Sequence, residues 1–260
     1  MTNGSSILRW SNIVAFVLVV IVNGIAGSTT LIGGRNTAAV SNANPTLITP
    51  AGYTFAIWGV IYVLLGIFVI YQALPSTRLQ TFHQKVGWLF VLSSVFNILW
   101  IFAWQNESLP ISVVLIFLLL ASLILIYLRL DIGRSKASRN ERLAVHLPFS
   151  VYLGWITIAS IADVAATLVS INWNGFGISP ETWAILVILV ALVIASLVAY
   201  IRKDIAYELV IIWAFLGIAV NQGGHQTIQG LLLASIVVVI IVLVASIFYA
   251  GRRTRKVSAG

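Results

Sequence analysis

Long apolar runs separated by short polar segments dominate the chain. Eight of them read as membrane-crossing helices, near Ile13–Ile32, Ala51–Leu74, Val86–Trp104, Leu109–Leu128, Leu143–Ile171, Thr182–Ile201, Ile205–Val220 and Ile228–Tyr249. A helix needs roughly 20 apolar residues to cross the hydrocarbon core. The seventh run is the weakest, being short and opened by Asp204 and Glu208. Barrel strands would alternate with a period of two, which these continuous runs do not. Gly and Ser within the runs fit close helix packing in lipid rather than chain breaks. The pattern predicts an all-α integral membrane protein with eight transmembrane helices.

The polar connections orient this bundle. With a cytoplasmic amino terminus, the inner segments hold Arg9; Arg78 and Lys85; Arg129, Arg134, Lys136, Arg139 and Arg142; Arg202 and Lys203; and Arg252, Arg253, Arg255 and Lys256. Only Arg35 is left outside. Because basic residues concentrate in cytoplasmic loops, both termini are expected in the cytoplasm, with the plasma membrane as host. The stretch from Arg9 to Gly27 also has the layout of a cleavable signal peptide, whose removal would subtract one helix without altering the orientation. Composition narrows the classes further. The chain is 60% hydrophobic and 8% charged, against about a quarter charged in soluble domains, which excludes a water-soluble fold. The absence of cysteine excludes a disulfide scaffold and any thiolate metal site. A net charge of +8 would point to nucleic acid in a soluble protein. Here the basic residues flank apolar runs and serve as topology signals, so no nucleic-acid partner is expected. The basic tail suits contact with anionic lipid.

Chemistry in a membrane protein gathers where costly residues are tolerated. Pro50 can open the second helix, since its missing N–H would be unpaired there anyway. Beyond Tyr53, the side chains of Phe55, Trp58, Gly59, Tyr62 and Gly66 share one helical face. The third helix brings Asn97, Trp100 and Trp104 into one stripe, and the fifth brings Tyr152, Trp155, Ala159 and Asp163. Asp163 is the acidic residue set deep in an apolar run, with no Lys or Arg at comparable depth. Each stripe has a purely structural reading as an interfacial aromatic belt, helix packing or a buried hydrogen bond. Depth favours convergence: Trp58, Tyr62, Asn97, Trp100 and Asp163 lie about 8–17 Å below the outer helix ends at 1.5 Å rise per residue. The expectation is one pocket that opens outward between three helices.

These residues resemble the tryptophan-rich sensory protein and translocator family (TspO/MBR, peripheral benzodiazepine receptors). Pro45, Pro50, Trp58 and Tyr62 keep the spacing of that family's outer loop and second helix. Asn97, Trp100 and Trp104 match its third helix, and Trp155, Ala159 and Asp163 its fifth. Leu47 stands where the family has the loop Trp, Thr49 where it has the first proline of a pair, and Asp163 where it has Asn. The likeness covers roughly residues 10–173. It implies a five-helix bundle over residues 1–173, followed by a three-helix extension with a basic tail over residues 174–260. It further implies binding of planar hydrophobic ligands such as porphyrins, haem precursors or sterol-like molecules, under a lid formed by Gly33–Ala51. Pro45, Pro50, Tyr53, Phe55, Trp58, Tyr62, Asn97, Trp100, Trp104, Trp155, Ala159 and Asp163 would form the site.

The leading expectation is therefore a membrane binding or sensory protein for porphyrin-like molecules, with no required cofactor. Its partners would be the lipid bilayer and the planar ligand, and a homodimer is one open assembly. The alternative is a secondary transporter of a small hydrophobic solute, proton-coupled through Asp163, although the halves show no evident inverted repeat. An enzyme has little support. His83, His146 and His225 are scattered, and no Ser-His-Asp spacing, HExxH or P-loop is present. Light-assisted porphyrin breakdown through the tryptophans is implied only by relatives. The role of the last three helices is open.

Overall fold

A computed structural model describes the backbone of residues 3–257 and the side chains of residues 6–249. The side chains of Arg252, Arg253, Arg255 and Lys256, expected at anionic lipid, lie outside the described residues. Among the described residues every regular element is helical. Six helical segments are long and apolar enough to cross a membrane: Ser6–Ser28, Gly52–Ala73, Leu109–Leu130, Arg139–Ser170, Pro180–Arg202 and Gln226–Tyr249. Leu89–Gln105 and Ile205–Asn221 are apolar but shorter, at 17 residues each. Helices thus occupy all eight expected places, and two of them rise only about 25 Å.

The first helix, α1 (Asn3–Ser28), starts ten residues before the expected Ile13 and stops short of Ile32. Asn12 in its early turns is buried, its amide donating to Gln72 Oε1 at 2.9 Å. The expected lid is partly ordered as α2 (Thr37–Ala43), where Asn36 Oδ1 accepts from the Ala39 N–H at 2.9 Å. Pro50 does not sit at the first position of a regular helix as anticipated. A 3-10 turn, Gly52–Ala56, leads into α3 (Ile57–Ala73), because the Ala51 N–H is drawn to the Gly217 carbonyl at 3.0 Å. A short α4 (Phe82–Val86) precedes α5 (Leu89–Gln105) and α6 (Leu109–Leu130). The turn α7 (Arg139–Glu141) and a π-turn (Arg142–His146) lead into α8 (Leu147–Ser170). Pro148 supplies the cause of that widened turn: it has no N–H, and its ring would clash with the carbonyl four residues back.

The remaining helices are α9 (Pro180–Arg202), α10 (Ile205–Asn221) and α11 (Gln226–Val257). α8 is the hub, packing against α3, α6 and α10. α1 lies on α5 and α3, and α5 on α6. α9 buries Ala184, Ile188, Ala191, Ala195 and Ala199 and packs mainly on α11. Without a hydrophobic drive between helices in lipid, such small residues allow the close approach that holds helices together.

The loop after α1 turns at Gly33, whose φ is +63° and where a Cβ would run into the Gln105 carbonyl at the end of α5. Gly33→Ala is expected to destabilise the folded protein by more than about 1 kcal/mol through both strain and collision. A lowered thermal midpoint in detergent checks it, and an unchanged midpoint would show that this loop does not lean on α5.

Candidate functional site

Trp58 of α3 is the centre of the aromatic cluster. Its ring stacks on Tyr62 one turn along (centroids 5.7 Å apart, planes at 19°) and on Trp100 of α5 (5.7 Å, 29°). The edges of Tyr152 (6.1 Å) and Trp155 (6.2 Å) from α8 meet it nearly at right angles. Trp155 in turn meets Phe55 edge-on at 5.9 Å, and Trp100 stacks on Trp104 at 5.9 Å. Three helices do bring their stripes to one level. The expected hollow between them is closed, because the rings fill it with one another. Offset-stacked and edge-to-face pairs at 4.5–7 Å are the attractive arrangements for aromatic quadrupoles. A cleft of about 520 Å³ lies elsewhere, between α1 and α5, lined by Trp10, Val14, Leu18, Val91, Val95 and Ile98.

Polar groups lace this cluster. Asp163 Oδ2 accepts from the Trp100 indole N–H at 2.8 Å, and its Oδ1 lies 2.7 Å from the Ser112 hydroxyl of α6. Asn97 Oδ1 accepts from the Asn23 amide of α1 at 2.7 Å. The Trp104 N–H donates to the Thr37 carbonyl of the lid helix at 3.1 Å, and the Gln105 amide to the Ala26 carbonyl at 2.7 Å. Two buried polar atoms of the cluster have no hydrogen-bond partner, Tyr62 Oη and Trp155 Nε1, whereas the Asn97 side chain bonds to Tyr152. Each forfeits about 1–3 kcal/mol of solvation unless something else satisfies it.

The outer loop and the 3-10 turn are held by α10. The Trp213 indole donates to the Thr54 carbonyl at 3.0 Å, the Asn221 amide to the Thr49 carbonyl at 3.0 Å, and the Gln222 amide to the Thr46 carbonyl at 3.1 Å. Gly217 is required at this junction, since a Cβ there would overlap the Thr54 side chain. Tyr53 belongs to this clamp rather than to the ring cluster, meeting Trp213 edge-on at 5.5 Å. Pro45 is exposed in the loop, Pro50 is buried, and Ala159 is half-buried on α8 between Trp155 and Asp163. The remaining anticipated residues come together. Sequence reasoning missed Asn23, Ser112 and Thr37 as partners; an asparagine inside the first apolar run was the one visible signal. Among the described residues no group of three His, Asp or Glu is placed to hold a metal. His83, in the short α4, donates through Nε2 to the Thr77 carbonyl at 3.0 Å, and burial lowers its pKa from the ordinary imidazole value.

The family model described as TSPO-like protein matches residues 9–249, and the chain belongs to that family. The match runs through the last three helices as well as the first five. No curated protein and no solved structure matches the chain.

Ser112 has one proton, and both the Leu109 carbonyl (2.8 Å) and Asp163 Oδ1 (2.7 Å) lie within its reach. An asparagine at 163 would accept from Trp100 and donate to Ser112, leaving the serine proton for Leu109. Asp163→Asn is therefore expected to fold with a thermal midpoint within a few degrees of wild type, a change of about 1 kcal/mol or less. Asp163→Ala, which orphans the Trp100 N–H, should lose about 1–3 kcal/mol. Equal losses in the two variants would contradict this geometry.

Proposed function

We propose that this TSPO-like membrane protein is a receptor for planar hydrophobic ligands of the porphyrin or haem-precursor type, bound among Phe55, Trp58, Tyr62, Trp100 and Trp155. The observation that carries the reading is the pair of unpartnered buried atoms, Tyr62 Oη and Trp155 Nε1, on two helices around one ring stack. Native proteins rarely leave such groups unsatisfied, so each one calls for an explanation. A flat ligand with polar edges supplies it: the indoles offer stacking faces, and the two polar atoms meet carboxylate or pyrrole groups. Entry requires the Trp58–Trp100 stack to part, and the clamped outer loop is the element above it. Family membership supports a membrane ligand-binding role in general, and the indole-rich lining supports this ligand class.

In this reading the act is binding rather than catalysis, and no cofactor is needed beyond the ligand itself. All eight apolar helices cross the bilayer, with the two shorter ones drawn in by local thinning at modest cost. Both termini face the cytoplasm of the plasma membrane, as the basic inner segments favour.

Titration of the purified protein with a porphyrin is expected to quench tryptophan fluorescence at micromolar ligand, and an unchanged signal overturns the reading. Trp58→Leu should weaken binding at least tenfold, about 1.4 kcal/mol. Trp155→Phe removes the unpartnered N–H while keeping an aromatic edge against Trp58. It should weaken binding several-fold without lowering the thermal midpoint, since a buried unsatisfied donor is lost. A variant with lowered stability and intact affinity would assign Trp155 to packing alone.

A further inference from the structure

The seam between α10 and the first five helices holds a second polar site, separate from the aromatic cluster. Asp204 caps α10, its Oδ1 accepting from the N–H groups of Ala206 (3.1 Å) and Tyr207 (3.3 Å). Its Oδ2 accepts from the hydroxyls of Ser150 on α8 (2.6 Å) and Tyr127 on α6 (2.9 Å). Each Asp204 oxygen thus has two donors, beside a helix N-terminus. One turn further along the same face stands Glu208, fully buried, and neither of its carboxyl oxygens has a partner.

The Tyr207 hydroxyl and the Arg202 guanidinium beside this pair are engaged elsewhere. The Tyr207 hydroxyl bonds to Thr157 Oγ1 at 3.1 Å. Arg202, at the end of α9, binds Asp131 at 2.6 Å and lies over the Tyr127 ring at 5.7 Å. Lys203 is in the turn before Asp204, and His146 on the α8 side has Glu141 at 3.8 Å. α11, which also packs on α10, brings no acidic or basic side chain among its described residues, 226–249. Among the described residues no ion pair reaches Glu208.

We infer that Glu208 is a proton-binding site at the seam between the five-helix bundle and the extension. Two carboxylates on adjacent turns share this buried place, and the donors all serve one of them. A second anion beside the first, without donors or a cation, is too costly to bury. A proton neutralises it directly, whereas among the described residues no third His, Asp or Glu stands with this pair to hold a metal ion. Glu208 thus carries a proton in the folded chain. The same helix carries the outer-loop clamp at its other end, at Gly217 and Asn221.

Infrared spectra of the full chain in lipid bilayers test the assignment. At neutral pH the wild type should show the carbonyl band of a protonated carboxylic acid. The band should shift on ¹³C-glutamate labelling, which separates it from Asp163, and should be missing in Glu208→Gln. No such band, a band insensitive to glutamate labelling, or an unchanged band in Glu208→Gln overturns the proposal. The labelling comparison needs no variant and stands even if Glu208→Gln folds poorly. The thermal midpoint gives an independent readout. The folded chain keeps a proton that the unfolded chain releases, so raising the pH above the ordinary glutamate range should lower the wild-type midpoint. The isosteric Glu208→Gln should lack that part of the slope, and identical slopes in both proteins count against the site.

Discussion

Hydrocarbon offers no hydrogen-bond partner, so every polar side chain inside this bundle must find one within the protein or stay costly. That constraint accounts for the pairs tying the helices together. Asn12 meets Gln72 across α1 and α3, Asn23 meets Asn97 across α1 and α5, and Trp100 and Ser112 meet Asp163 across α5, α6 and α8. Apolar burial alone could not set these contacts, because lipid tails are as apolar as leucine. The pairs choose which faces meet, and small residues on helices such as α9 set how closely. The few buried groups that escape pairing then stand out against a satisfied background. They include Tyr62 Oη and Trp155 Nε1 beside Trp58, and both carboxyl oxygens of Glu208.

The extension is joined to the bundle at both ends of α10. At one end, Asp204 collects hydroxyls from α6 and α8. At the other, Trp213, Gly217, Asn221 and Gln222 hold the loop that leads into α3. A five-helix bundle with three appended spans therefore understates the architecture. The segment leading into α3 is fastened by a helix more than 150 residues further along the chain, which fits a family match running through the extension as well.

Apolar run length and helical spacing were enough to place the eight helices to within a few residues in most cases and to align the stripes on α3, α5 and α8. Both signals are local: a run of about 20 apolar residues favours lipid wherever it lies, and 100° per residue sets which side chains share a face. The start of α1 and the 3-10 entry to α3 escaped, because Asn12 and Ala51 owe their conformation to Gln72 and Gly217, far away in the chain. The aromatic residues were legible as a group while their state was not. Spacing shows that indoles face a common interior, and only the crossing of three helices shows that Trp58 lies against Trp100 and Trp155 with no room between them. Glu208 illustrates the same divide. Its position at the start of a short apolar run was plain, whereas its isolation depends on Ser150 and Tyr127 having turned to Asp204 instead, an outcome of packing between helices that no single run of residues encodes.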